Sequence, residues 1–358
     1  MSARPTLCDV AERTGLSTAT VSMALRDSPH LPEATRTRVK QAARDLGYRS
    51  DPMLAALAAH RWRRRPVPSG STLAAIADGT LEGEKGMVER AAVYGYKLEV
   101  FQVHDYSDGH RLSDMLYNRG ILGVVVGQIF TPGFCESFDW SRFVSVAASE
   151  GFHRPPVNLV MPNHFRAVQD GWDLAWARGY RRIGLALFDM PSAIDFHDRC
   201  AAFLDRQQRA PASQRIPVLA VNPGGDDSRL TNGRHSAPSK TSQLIDTWMR
   251  RHSPEVILAF NNSFYWLLRK AGWRVPEHAA FIDLWIMTSD RPPPWPGLIL
   301  VPDEIGRRAI DWLDSLLRTG ERGVPQNPAT MLVDMRKHEG ETRMNRPLPV
   351  KATTRKRR

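Results

Sequence analysis

The sequence predicts a multidomain protein, an all-α helix-turn-helix head followed by an α/β body of two parallel-sheet subdomains. Three observations predict it. Residues 1–47 carry short helical patterns with tight turns and no strand pattern. "RRRPVPSGS" (63–71) follows as a basic linker rich in Pro and Ser. From about Thr72 apolar strand-like runs alternate with helical stretches of about ten to fifteen residues, the signature of βαβ units and parallel sheets. The strands are too many for one compact sheet, and 358 residues suffice for more than one domain. The expected divisions are a head over 1–50, a short helix and basic linker over 51–70, a two-lobed body over 71–345 and a basic, disordered tail over 346–358.

In the head, "LCDVAERT" (7–14) is the first helix, Gly15 the turn, and Ser17 or Thr18 to Arg26 the second helix. Ala11 is small where two helices cross, and Gly15 can adopt a positive φ. Val21 points back with Val10 and Leu25, and Ser17 is a natural N-cap. Ser17, Thr18, Ala19, Thr20 and Ser22 are left on the outer, N-terminal face. Small hydroxyls and methyls can approach phosphates and thymine methyls closely, so this face suits a major groove. The same packing also suits a purely structural helical hairpin. A third helix opens at Pro32 and stops at Gly47. "DPMLAALAA" (51–59) is a short helix with Asp51 as N-cap and Pro52 at the first position, and too little apolar face to stand alone.

The body reads in order as strand and helix. "TLAAIA", "KLEVFQV", "ILGVVVGQI", "FVSVAA" and "VNLVM" are strands, with "GEKGMVERAAVYGY" and "HRLSDMLYNRG" as helices among the first three. "AVQDGWDLAWARGY", "DRCAAFLDRQQ", "TSQLIDTWMRRH" and "SFYWLLRKAG" are helices alternating with the strands "RIGLALF", "IPVLAV", "EVILAF" and "AAFIDLWI". The last helix, "EIGRRAIDWLDSLLRTG", sets Ile305, Ala309, Ile310, Leu313, Leu316 and Leu317 at helical spacing and stops at Gly320. Residues 222–240 form a long polar loop.

Charge is concentrated at the ends. Residues 1–65 hold 12 Arg and Lys against 6 Asp and Glu, and residues 343–358 hold 7 against none, leaving the centre close to neutral. A neutral body with basic ends suggests a polyanion held by the ends, or a solubilising excess. No apolar run is long enough for a membrane span, and "MSARPTLCDVAE" has no apolar leader region. Cys8, Cys135 and Cys200 are odd in number and far apart, as expected of free thiols in a cytoplasmic protein.

"TLCDVAERTGLSTATVSMAL" and "LPEATRTRVKQAARDLGY" resemble, nearly position by position, the lactose-repressor (LacI) family of bacterial transcription regulators. "RGYRRIGLAL", "DRCAAF", "VILAFNNS" and "GWRVPEHAAFI" follow in the order of that family's sugar-binding domain. The resemblance implies a helix-turn-helix head, a hinge helix at 51–59 and a body like the periplasmic binding proteins. It implies a repressor that binds double-stranded DNA at a pseudo-palindromic operator as a homodimer and answers to a small effector, a carbohydrate. The hinge position matching the family's minor-groove leucine is Leu57, where an apolar wedge would bend the duplex. Motif and resemblance together give a DNA-facing set of Thr6, Ser17, Thr18, Ala19, Thr20, Ser22, Met23 and Arg26 in the head, with Leu57 and Arg61 beyond it. Met23 departs from the family, which commonly has a basic residue there. "HRWRRR" (60–65) is more basic than usual and suits either phosphate contacts or a solvated linker.

For the effector, Arg199 matches the family's ligand-binding arginine and Asn261 its ligand-contacting asparagine. Trp285 stands where the family has a sugar-binding aspartate, with Asp283 the only nearby carboxylate. Trp285 suits stacking on a pyranose face or filling the cleft itself. Asp78, Gln128 and Asp189, each after a strand, are further cleft candidates, or caps of surface turns. No nucleophile elbow, zinc-protease motif, phosphate-binding loop or dinucleotide fingerprint occurs, so no enzyme, catalytic residue, metal or cofactor is expected. A secreted solute-binding protein with the same body is disfavoured by the head and the missing leader, whereas a DNA-binding regulator with no conventional sugar response stays open, because the cleft carries atypical residues. "RPLPVKATTRKRR" has no leucine heptad of the kind the family's tetramers use, so a dimer is expected.

Overall fold

The computed structural model describes residues 5–25, 31–46, 48, 71–148, 155–188, 194–221, 240–260, 262–287 and 293–340. Arg26, the hinge helix with Leu57, Arg61 and the linker, Asp189, Asn261, the 222–239 loop and the basic tail lie outside these residues, as does the side chain of Ala19. The chain divides into two compact units, 1–67 and 68–358.

In the first unit, α1 spans Leu7–Thr14, α2 Thr18–Leu25 and α3 Glu33–Asp45. Thr6 and Asp9 start α1 with a reciprocal capping box, the Asp9 carboxylate accepting the Thr6 amide at 2.6 Å. Gly15 ends it at φ +66°, the left-handed conformation that glycine adopts without strain. Ser17 caps α2 by accepting the Thr20 amide at 3.2 Å. α3 stops at Leu46, one residue before the expected glycine. The three helices bury Val10, Ala11, Val21, Ala24, Val39 and Ala43 among half-buried leucines. Arg38 ties α3 to the end of α1 through the Thr14 carbonyl at 3.2 Å.

In the second unit, β1 (Thr72–Ala77), α4 (Glu84–Val93), β2 (Lys97–Gln102), α5 (Gly109–Asn118), β3 (Gly123–Val126), α6 (Phe134–Ser137), β4 (Val144–Ala147) and β5 (Asn158–Pro162) come first. α7 (His164–Ala177), β6 (Ile183–Phe188), α8 (Ile194–Gln208), β7 (Leu219–Val221), α9 (Lys240–His252), β8 (Val256–Ala259), α10 (Ser263–Lys270), β9 (Ala280–Ile286) and β10 (Gly297–Ile299) follow. α11 (Pro302–Thr319), β11 (Thr330–Val333) and β12 (Arg336–His338) close the unit. Two six-stranded sheets result, ordered β11-β5-β4-β3-β1-β2 and β12-β10-β9-β8-β6-β7. The first is parallel throughout. The second is parallel except for the β10–β12 pair. Each repeats the doubly wound order in which the strand sequence reverses between its first and third strands, and ligands bind beyond the strand ends at such a reversal.

The simple succession of βα units needs one correction. β10, β11 and β12 were not legible, and with them the path of the chain between sheets. After β10 the chain returns to the first sheet as α11, adds β11 there, then crosses again to pair β12 with β10. The cause is physical. β10 and β12 have three residues each, β12 reads Arg-Lys-His, and the first three residues of β11 are exposed. Pairing with distant strands, not local propensity, makes them strands.

α11 binds tightly to α4. A Cβ on Gly86 would overlap the Asp303 carbonyl, and one on Gly306 the Gly83 carbonyl, so backbones touch where these glycines lie. Beside them Asp311 accepts from Arg90 and from the Tyr94 hydroxyl at 2.6 Å, and Asp314 accepts from Tyr96 at 3.1 Å and Arg318 at 2.7 Å. Burial and the neighbouring Asp314 carboxylate push the Tyr96 phenol up to about 12. At the opposite kind of junction, arginines satisfy the orphan carbonyls of helix C-termini. Arg181 donates to the Trp176 and Tyr180 carbonyls after α7, Arg215 to Gln208 and Ala210 after α8, and Arg182 to His252 and Ser253 after α9. One apolar cluster runs from Ala75 and Val146 in the first sheet to Leu185 and Ile282 in the second.

Candidate functional site

The head residues singled out from sequence divide by what their side chains already do. Thr6 is committed to capping α1, its hydroxyl 2.8 Å from Asp9 Oδ2. The Thr6 amide and hydroxyl together hold the Asp9 carboxyl below its usual value. The Ser17 and Thr20 hydroxyls bond each other at 2.9 Å. Ser17 and Thr18 are exposed, Thr20 and Ser22 half-buried, and Met23 is exposed by 36%. α2 therefore presents hydroxyls at its N-terminal end and one thioether in its C-terminal half, with no charged side chain along its length. Arg13, Arg38 and Arg44 are exposed cations on the flanking helices. Sequence reading passed over them because arginines on amphipathic helices are ordinary solvated residues.

In the body, Asp78 and Gln128 follow β1 and β3, the pair of strands where the first sheet reverses. The Asp78 amide donates to the Gln128 carbonyl at 2.9 Å. The Asp78 carboxylate clamps the next turn, accepting the Phe130 amide at 3.1 Å, the Thr131 amide at 2.9 Å and the Thr131 hydroxyl at 2.7 Å. Partial burial opposes its charge. The hydrogen bonds from Thr131 and Phe130, with His104 nearby, outweigh that and keep its carboxyl below the usual value. Gln128 and Trp285 meet in a narrow cleft between the sheets, walled also by Glu82, Ala148, Pro162, Leu300, Pro302 and Ile305. The open space there holds about one water molecule. Asp78 is not among the residues lining it.

Arg199 joins Trp285 through residues that were not anticipated. His164, buried, is the first residue of α7, and Phe260 follows β8. His164 stacks on Trp285 with ring centres 5.3 Å apart and planes 18° from parallel. The Arg199 guanidinium lies 3.3 Å from the Phe260 ring centre and 5.9 Å from the Trp285 ring, a cation–π arrangement. An Arg199 Nη is 3.2 Å from His164 Nδ1, within hydrogen-bond distance. Asp283, fully buried, accepts the Trp285 amide at 2.9 Å. His164 and Phe260 did carry one signal, since each stands just past a strand. Among the described residues no cluster of three or more His, Cys, Asp or Glu has the arrangement of a metal site. Burial pushes the Cys135 thiol up to about 12, far from a reactive thiolate.

Residues 6–51 match the family model described as bacterial regulatory proteins, lacI family. The HTH-type transcriptional repressor CytR of Escherichia coli strain K12 is 50% identical over 183 residues, covering 50% of this chain and 52% of that protein. The HTH-type transcriptional regulator GntR of Pseudomonas aeruginosa is 47% identical over 55 residues, 15% of this chain and 16% of that one. The chain thus spans about half the length of CytR and less of GntR. Among solved structures, the lac repressor dimer bound to operator and the anti-inducer ONPF aligns over 95% of this chain and 99% of its own, at 19% identity and a TM-score of 0.51. The transcriptional regulator CelR–cellobiose complex aligns over 94% and 99%, at 17% identity and a TM-score of 0.51. These two show a shared fold. Residues 6–51 thus match the lacI-family model, and the chain as a whole shares the fold of these two structures.

Proposed function

We propose that the chain is a cytoplasmic transcription regulator, a repressor, that binds a pseudo-palindromic double-stranded DNA site as a homodimer. The observation that carries this reading is α2, a charge-free helix whose exposed N-terminal half offers Ser17 and Thr18. Low bulk lets such a helix enter a major groove deeply, while cations elsewhere hold phosphates. Support comes from the repressor name of the CytR relative and from the operator in the lac repressor structure. No helix among the described residues is long and apolar enough to cross a membrane.

The effector seat is the inter-sheet cleft lined by Gln128 and Trp285, with Arg199 5.9 Å from the Trp285 ring. A small-ligand seat is supported by neighbours described with cellobiose and ribose, and a regulator with no conventional sugar response is the alternative that Trp285 in the seat favours. Arg199 would complete its contacts as the sheets close on the ligand, and the closure would set the spacing of the two hinge helices around Leu57. The test is selection of bound duplexes from a random pool, followed by anisotropy titration of the enriched sequence. Enrichment of a two-fold related half-site is expected. No enrichment over non-specific binding would reject the reading.

A further inference from the structure

The cleft poses a problem of size. Small-molecule sites have volumes of about 300–1,000 Å³, and the free space here takes about one water. Trp285 is the bulkiest of the side chains that line this seam. Its ring is packed on one side by His164 at 5.3 Å, Phe260 at 5.9 Å and the Arg199 guanidinium at 5.9 Å. Trp285 also lines the seam together with Gln128, Ala148, Pro162 and Ile305, which come from the end of the first sheet and the helix packed on it. Three features fix it there. Its amide is bonded to the buried Asp283 carboxylate. It stands near the end of a strand whose other residues are all buried. It also joins the apolar cluster that runs through both sheets.

We propose that Trp285 is a resident occupant of the effector seat. Its indole fills the space that a small ligand would take and holds the two sheets in one relation without a ligand. The specificity consequence is that a pyranose is shut out of the native chain. A planar ring of indole size is the chemistry the seat accepts once the side chain is removed. The regulatory consequence, operator binding that needs no effector, rests on the DNA-binding reading above. The occupancy itself does not.

The experiment is chemical complementation with free indole. Trp285→Gly removes the ring and leaves a cavity on the order of 150 Å³, a size that takes up a free aromatic ring. Thermal unfolding and isothermal titration are run on the full-length wild type and on the variant, with indole, cellobiose and ribose as probes. Trp285→Gly is expected to unfold at a lower temperature, to recover part of that loss in millimolar indole, and to bind indole at one site per chain. The wild type is expected to show neither effect with indole and no saturable heat with either sugar. Saturable binding of cellobiose or ribose by the wild type would overturn the proposal. So would a folded Trp285→Gly chain that takes up no indole. If the glycine variant does not fold, Trp285→Ala, which frees nearly the same space without the backbone freedom of glycine, is read in the same way. Operator titration of the same samples separates the two readings. Indole rescue of stability in a chain that binds no operator would refute the regulator and leave the occupant standing. If both hold, the operator affinity lost in Trp285→Gly should return at least tenfold on adding indole.

Discussion

The head and the cleft handle polar groups in opposite ways. In the head, most of the residues of interest lie within one eight-residue helix and its cap. Their contacts reach only three positions along the chain, as from Ser17 to Thr20. Around Trp285 of the cleft, His164, Arg199 and Phe260 come from α7, α8 and the end of β8, and aromatic rings cover the cation. The head leaves its groups in solvent, ready for a partner that brings its own charge. The cleft satisfies its groups from within. That difference explains why a short sequence motif announces the first and why only the folded chain reveals the second.

The largest effect should separate the two regions. Val21 is fully buried in a head whose buried core, among the described residues, is six side chains, and a domain of that size has little stability to spare. Val21→Asp places an unpaired carboxylate there, a loss of more than about 4 kcal/mol. Operator binding should vanish while the thermal transition of the body stays within a degree or two. A body that melts with the head would break the comparison.

A smaller effect tests the cleft from the other side. Arg199→Ala removes the cation from the Phe260 face and the bond to His164, about 2 kcal/mol of body stability by analogy with such contacts. Urea denaturation followed by tryptophan fluorescence would measure it. Operator affinity without ligand should stay within threefold. A loss of operator affinity equal to that of a head variant would put Arg199 in the DNA-binding path instead.

The smallest effect sharpens the account of the body away from both sites. Tyr96 is raised from 10 to about 12 by burial and Asp314. Its protonated form is favoured in the folded chain. The stability it supplies is complete below pH 10 and lost as pH rises from 10 toward 12. Discounted for its partial exposure, this is about 1 kcal/mol. Melts between pH 9 and pH 11 should fall more steeply for the wild type than for Tyr96→Phe. Identical slopes would remove Tyr96 from the α4–α11 contact.

Legibility followed the range of the contacts. The Gly15 turn, the Ser17 cap and the burial of Val10 and Val21 were readable, because each depends on neighbours a few residues away. The strand–helix alternation was readable for the same reason. β12 was not, since Arg-Lys-His becomes a strand only by pairing with β10. The sequence left Trp285 with two roles, stacking on a sugar or filling the cleft. His164 and Phe260, which decide between them, stand 121 and 25 residues away. Asp78 was marked by its place after a strand, but the use of its carboxylate depends on Phe130 and Thr131, more than fifty residues on.

The most direct test of the account is a salt-dependent anisotropy titration of the selected duplex and of a scrambled one, using wild type and Thr18→Ala. The wild type should prefer the selected duplex by at least a hundredfold. Log affinity should fall linearly with log salt, at about −0.9 per phosphate contacted. Thr18→Ala should cut that preference about fivefold or more, through loss of a groove contact worth about 1–3 kcal/mol. It should leave scrambled-duplex affinity and the salt slope unchanged. Equal preference in both proteins, or full specificity retained by residues 68–358 alone, would contradict the assignment of DNA reading to α2.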